Sequence, residues 1–148
     1  MTSLEALTKQ ILACSACELR MGATAPVVGC GEIGAKFMLI GEAPGREEDK
    51  AGIPFIGDAG KRLDQLLELA GIDKNDCYFT NVCRCRPPRN RDPRKKEIQV
   101  CQKWLEQEIR LVKPKTIITL GRVPLSLFCP YGIKQMHGCV LSAEIPDE

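Results

Sequence analysis

The sequence predicts an α/β fold in which a parallel sheet carries helices on both faces, and three observations predict it. Residues 36–40 (KFMLI), 77–82 (CYFTNV) and 115–120 (KTIITL) are short apolar runs with the length and composition of buried strands. Between them, residues 59–70 and 95–112 repeat apolar side chains at helical spacing. Strands alternating with helices imply parallel pairing through right-handed crossovers.

Thr2 and Glu5 form a capping box for a first helix reaching about residue 13, with Leu4, Leu7 and Ile11 on one side and Cys14 and Cys17 at its exit. Residues 21–34 read as loop. The strand at 36–40 runs directly into the turn GEAPG, which begins at Gly41. Leu63, Leu66, Leu67 and Ala70 mark the next helix, and Gly71 stops it. In the strand at 77–82, Tyr78 and Phe79 favour extended backbone, while Pro87, Pro88 and Pro93 forbid regular pairing beyond it. Asn81 therefore stands near a strand's carboxyl end, where open α/β sheets bind ligands, and Glu42 stands at the same edge. Ile98, Cys101, Leu105, Ile109 and Val112 share one face of the long helix, which Pro114 ends. The strand at 115–120 closes on Gly121, and a short helix follows at about 123–128.

A chain of 148 residues suits one domain, residues 1–148. Its formal charge of +2 averages an acidic stretch at 42–49 against a basic one at 84–96, where seven of thirteen residues are Lys or Arg. Such a proline-stiffened run favours a polyanion, because arginine forks match phosphate geometry. Neither a signal peptide nor a transmembrane run is visible, which predicts a cytoplasmic protein without membrane contact. Cysteines stay reduced there, and nine of them, an odd number, fit metal binding better than a disulfide framework. A lone His137 excludes a histidine-rich zinc site and leaves thiolates as ligands.

Cys14 and Cys17 make C-x2-C, and Cys85 and Cys101 make C-x15-C. Four thiolates so placed suit zinc or an iron–sulfur cluster, and spacing does not separate the two. Cys83 is a competing ligand; Cys30, Cys77, Cys129 and Cys139 read as packing or surface thiols. Gly29, Gly31 and Gly34 spell GxGxxG, but a loop precedes them and a strand follows, the reverse of the dinucleotide fingerprint. They read as a surface turn, and no nucleotide cofactor is expected.

GEAPGREEDKAGIPFIGDAGKRLDQLL, YFTNVCRCRPPRNRDPRKKEIQVCQKWLEQEI and KPKTIITLGR, in that order and across nearly the whole chain, resemble the family 4 uracil-DNA glycosylases. The resemblance implies a three-layer α/β/α sandwich around a four-stranded parallel sheet, acting as a monomer on uracil-containing DNA to begin base excision repair. It implies a structural [4Fe-4S] cluster on Cys14, Cys17, Cys85 and Cys101. Phe55, in PFIG, is then the stacking platform for a uracil flipped out of the duplex. The Asn81 amide donates to O4 and accepts from N3–H, a pattern that cytosine reverses, and Glu48 fills the space beside C5 against thymine. Glu42 orients a water and favours the sugar cation, Asn90 helps position it, and backbone N–H groups of the turn from Gly41 hold base or water. Arg84, Arg86, Arg89 and Arg91 meet phosphate. The family pattern continues past HGCVLSAEIP to a strand and a His-Pro motif whose histidine stabilises the leaving uracil. This chain stops at Glu148, and His137 matches the earlier His-Gly. Either the chain is truncated or it is a divergent glycosylase; the expectation is a uracil-DNA glycosylase whose domain lacks that motif, with a non-catalytic iron–sulfur DNA-binding module as the alternative.

Overall fold

The computed structural model describes residues 2–140. The chain runs through α1 (Ser3–Leu12), α2 (Leu19–Gly22), β1 (Phe37–Gly41), α3 (Arg46–Ala51), α4 (Asp58–Leu69), β2 (Cys77–Asn81), α5 (Lys95–Val112), β3 (Thr116–Thr119), α6 (Arg122–Ser126) and α7 (Ile133–Met136). Short 3-10 turns at Lys74–Asp76 and Pro88–Asn90 join the larger elements. Among the described residues no helix is long and apolar enough to cross a membrane.

The strands form one parallel sheet in the order β2-β1-β3. Alternation along each strand decides which helix covers which face. Met38, Ile40 and Tyr78 turn to one side, where Leu105, Ile109 and Val112 of α5 meet them. Leu39 and Phe79 turn to the other, against Leu63 and Leu67 of α4. Each such buried aliphatic side chain stabilises by about 1.5–3 kcal/mol, so the register is fixed by what it buries. α1 docks on α5 by packing Leu7 and Ile11 against Trp104. Its capping box is formed: Thr2 N–H donates to Glu5 Oε2 at 2.7 Å, and Glu5 N–H donates to Thr2 Oγ1 at 3.2 Å.

A parallel sheet with helices on both faces is as expected; of the four strands expected, the described residues hold three. β3 lies at the sheet margin and is only half-buried. The tail from residue 141, on which the expectation of a missing His-Pro motif turns, lies outside the described residues.

Three helices had no signal in the sequence. α2 and α7 span four residues each, and α3 has no apolar stripe to detect. It is positioned instead by buried Asp49, which accepts from the Thr24 backbone N–H at 2.9 Å and the Thr24 hydroxyl at 2.8 Å. Nor is the glycine-rich loop a plain surface turn. Cys30 and Phe79 exchange two backbone hydrogen bonds of 2.8 Å, which lays the loop antiparallel along β2.

One polar group is built into the core. Glu108 of α5 is fully buried and accepts from Tyr78 Oη at 2.7 Å, from Thr80 Oγ1 at 2.8 Å and from the Arg84 guanidinium. Removing either member of such a pair strands the other charge, at a cost of about 3–5 kcal/mol.

Candidate functional site

Gly41 ends β1 and Asn81 ends β2, and the two are register partners. A Cβ on Gly41 would lie 2.5 Å from Asn81 Oδ1 and 2.6 Å from Phe55 Cζ, so only glycine lets the amide and the ring meet there. Asn81 is 5% exposed, and among the described residues its side-chain amide has no hydrogen-bond partner. It opens instead on a cavity of about 280 Å³ that Glu42, Glu48, Phe55, Asn90 and Asp92 also line. A second cavity of about 730 Å³ adjoins it, sharing Glu42, Phe55 and Asn81 and continuing past Arg62 and Leu66. Together they make a cleft of ligand-binding size at the carboxyl end of the sheet.

Phe55 is held on a strained backbone. Its φ is 56°, the left-handed region, which costs a residue with a Cβ about 1–2 kcal/mol. Two devices hold it there. Gly60 in the first turn of α4 leaves room for the Phe55 carbonyl, into which any Cβ would run. Glu48 binds the residues that follow: Oε2 accepts from Ile56 N–H at 2.9 Å and Gly57 N–H at 2.6 Å, while Oε1 accepts from Gly45 N–H at 3.1 Å. The family resemblance puts Glu48 beside the base. It does line the cavity, with both oxygens engaged by backbone. The ring of Phe55 meets Phe79 in a tilted arrangement, centroids 6.1 Å apart.

Burial raises the pKa of Glu42 above the usual carboxylate range, the neighbouring Asp92 carboxylate raises it further, and Arg122 opposes both. Arg122, at the start of α6, is ion-paired with Asp92. Neither Asp92 nor Arg122 was expected at the site. Their only sequence signal was position, Asp92 in the NRDP stretch and Arg122 just past a strand's end. Asn90 lines the cavity, and its Oδ1 accepts from Arg86 Nε at 2.7 Å.

The basic stretch divides into three. Arg84, expected on phosphate, is 2% exposed and bound to Glu108, so it does not reach the surface. Arg91 is forked onto Glu97 with distances of 2.8 and 3.0 Å, and this hydrogen bonding holds the Glu97 carboxyl below its ordinary pKa. Arg89, Arg94, Lys95 and Lys96 are exposed, and Arg86 is half-buried beside them.

On the other side of Cys85, one enclosed cavity is lined by all four expected ligands, Cys14, Cys17, Cys85 and Cys101. Cys83 does not line it. The space left between the thiols is narrow, about 20 Å³, and among the described residues no three of them converge as one metal ion would require. A polynuclear cluster offers each thiolate its own iron, so its ligands stand further apart than those of one zinc ion. Hydrogen bonding from the Cys83 thiol, helped by Arg84, holds Cys101 down to about 7, whereas burial pushes Cys85 up to about 12. Around the thiols stand donors without acceptors: Nε and Nη1 of Arg84 and Nε1 of Trp104 are buried and unpaired among the described residues. Each such orphan costs about 1–3 kcal/mol unless something fills the cavity.

The profile of the Uracil DNA glycosylase superfamily matches residues 28–144. The type-4 uracil-DNA glycosylase of Sulfurisphaera tokodaii is 45% identical over 123 residues, covering 82% of this chain and 56% of the relative. That of Archaeoglobus fulgidus is 42% identical over 122 residues, 82% of this chain and 61% of the relative. That of Thermotoga maritima is 41% identical over 125 residues, 84% and 65%. The chain thus spans 56% to 65% of the length of these relatives. With a superfamily match over most of its length and type-4 enzymes among its relatives, the chain belongs to the uracil-DNA glycosylase superfamily.

Proposed function

We propose that the chain binds uracil-containing DNA, takes an extruded uracil into the cleft at the ends of β1 and β2, and hydrolyses its N-glycosidic bond. The observation that carries this is the Asn81 amide, unpartnered among the described residues and set across Gly41 from the Phe55 ring. A uracil stacked on Phe55 presents O4 and N3–H to that amide, which donates to one and accepts from the other. Cytosine reverses both groups and leaves the amide unpaired.

Bond cleavage develops negative charge on the base and positive charge on the sugar. Glu42, on the turn after β1, orients the attacking water and favours the sugar cation, with Asp92 and Arg122 setting its charge. Asn90 offers its amide N–H groups while Arg86 holds its oxygen. Arg86, Arg89, Arg94, Lys95 and Lys96 follow the phosphates beside the cleft, and Arg91 fastens their loop to α5 through Glu97.

Cys14, Cys17, Cys85 and Cys101 hold a [4Fe-4S] cluster in this reading, supported by the four thiols and three orphaned donors around one cavity. When bound it cross-links the bend after α1 to the basic loop, a structural contribution. A fourth strand beside β3 completes the α/β/α sandwich. Nine free thiols fit a reducing, cytoplasmic compartment, where the protein acts as a monomer.

Incubation with a uracil-containing oligonucleotide, followed by alkali, should cut at uracil. Asn81→Ala should remove the cut and keep salt-dependent DNA binding. DNA binding by the unaltered chain with no base release in any uracil context would select a non-catalytic module instead.

A further inference from the structure

We infer that Arg84 and Trp104 form the hydrogen-bonding shell of the cysteine cavity, donating N–H groups to the sulfurs of the cluster it holds. The inference rests on the cluster reading above and goes beyond its four ligands.

Arg84 Nε, Arg84 Nη1 and Trp104 Nε1 are the buried side-chain atoms without partners among the described residues. Arg84 is 2% exposed and Trp104 is 7% exposed, and both line the cavity of Cys14, Cys17, Cys85 and Cys101. Elsewhere Tyr78 and Thr80 both find Glu108, and the unpartnered Asn81 amide opens on the cleft. Three orphans on two residues that line one cavity therefore point to an acceptor that belongs there.

The chemistry of that acceptor follows from the donors. An indole N–H only donates, and a guanidinium only donates, so the missing partner is electron-rich. Thiolates and bridging sulfides are such acceptors. Glu108 engages Nη2 of Arg84, which fixes the guanidinium plane and leaves Nε and Nη1 free. The Arg84 backbone N–H already donates to Cys101 Sγ at 3.3 Å. Trp104, packed on Leu7 and Ile11, brings its donor from α5 at the place where α1 delivers Cys14. Hydrogen bonds to cluster sulfur favour the more reduced, more negative state and slow loss of the metal.

The test compares the anaerobically iron- and sulfide-loaded chain with Trp104→Phe, which keeps an aromatic ring and removes the N–H, and with Arg84→Lys. Both variants should bind as much iron and sulfide as the unaltered chain. Their visible absorption should bleach roughly tenfold faster in an iron chelator, the lower end of what outer-shell partners are worth. Their reduction potential should be lower. Metal-free Trp104→Phe should unfold somewhat earlier, by the packing a smaller ring loses against Leu7 and Ile11, but packing alone would leave the reduction potential of the loaded chain unmoved. Equal bleaching rates and equal potentials in loaded Trp104→Phe and unaltered chain would overturn the inference and leave the cluster standing. An unaltered chain that takes up no iron and sulfide would overturn the cluster and the inference with it. If Arg84→Lys does not fold, Trp104→Phe alone decides.

Discussion

Glu42 meets two opposing demands. The proposed role, orienting water and favouring a cation, requires the carboxylate, whereas burial and Asp92 favour the neutral acid. Activity should therefore rise with pH through a range above the ordinary glutamate value, and Glu42→Gln should lower kcat by roughly 10²-fold and flatten the profile. Stability should move the other way. With the folded pKa above the unfolded one, the folded chain holds its proton more tightly, so stability falls as pH rises from the unfolded value through the folded one. Urea unfolding at stepped pH should show that fall, and Glu42→Gln should remove it. Glu42, Asn81 and Phe55 were legible because each has a local signature, a strand end or a motif. Asp92 and Arg122 were not, because their meaning lies in a pairing across thirty positions. Arg84 misled for the same reason. A run of arginines reads as surface, and only Glu108, a carboxylate set within α5's buried face, draws this one inside.

At the scale of elements, α5 was readable to the residue because eighteen residues of unbroken periodicity leave little choice, and the strands differ from expectation only at their ends. The segment from α3 up to the start of α4 was opaque, since hydrogen bonds accepted by Glu48 and Asp49 rather than apolar spacing hold it. That makes Glu48 a positioning residue for Phe55. Glu48→Ala should free residues 55–57 and raise KM for uracil-containing oligonucleotide about tenfold, equivalent to about 1.4 kcal/mol, with a smaller change in kcat. Glu48→Gln, which keeps one acceptor, should recover part of the loss. Steady-state kinetics on one oligonucleotide series checks both.

For the whole molecule, the sheet order puts the cleft at the ends of β1 and β2, with the basic loop leaving directly from β2. The cleft and the exposed cations thus share one edge. The exposed cations should act additively there. Replacing Arg89, Lys95 and Lys96 by Ala should weaken DNA binding regardless of sequence and reduce the slope of log K against log salt by about one per lost contact, as fluorescence anisotropy would show. The number of strands was the least legible feature of the fold, because no apolar run beyond 115–120 signalled another and the expectation of four came from resemblance alone.

Phe55 also bears on how such a chain can change over time. Its left-handed backbone would be relaxed by glycine, which adopts that conformation without penalty. The same exchange would forfeit the ring's packing on Phe79 and the Leu63–Leu67 cluster, which outweighs the backbone strain relieved. The strained backbone and the ring it carries are thus inherited as one unit, and this corner of the cleft has no cheap route to a more relaxed form.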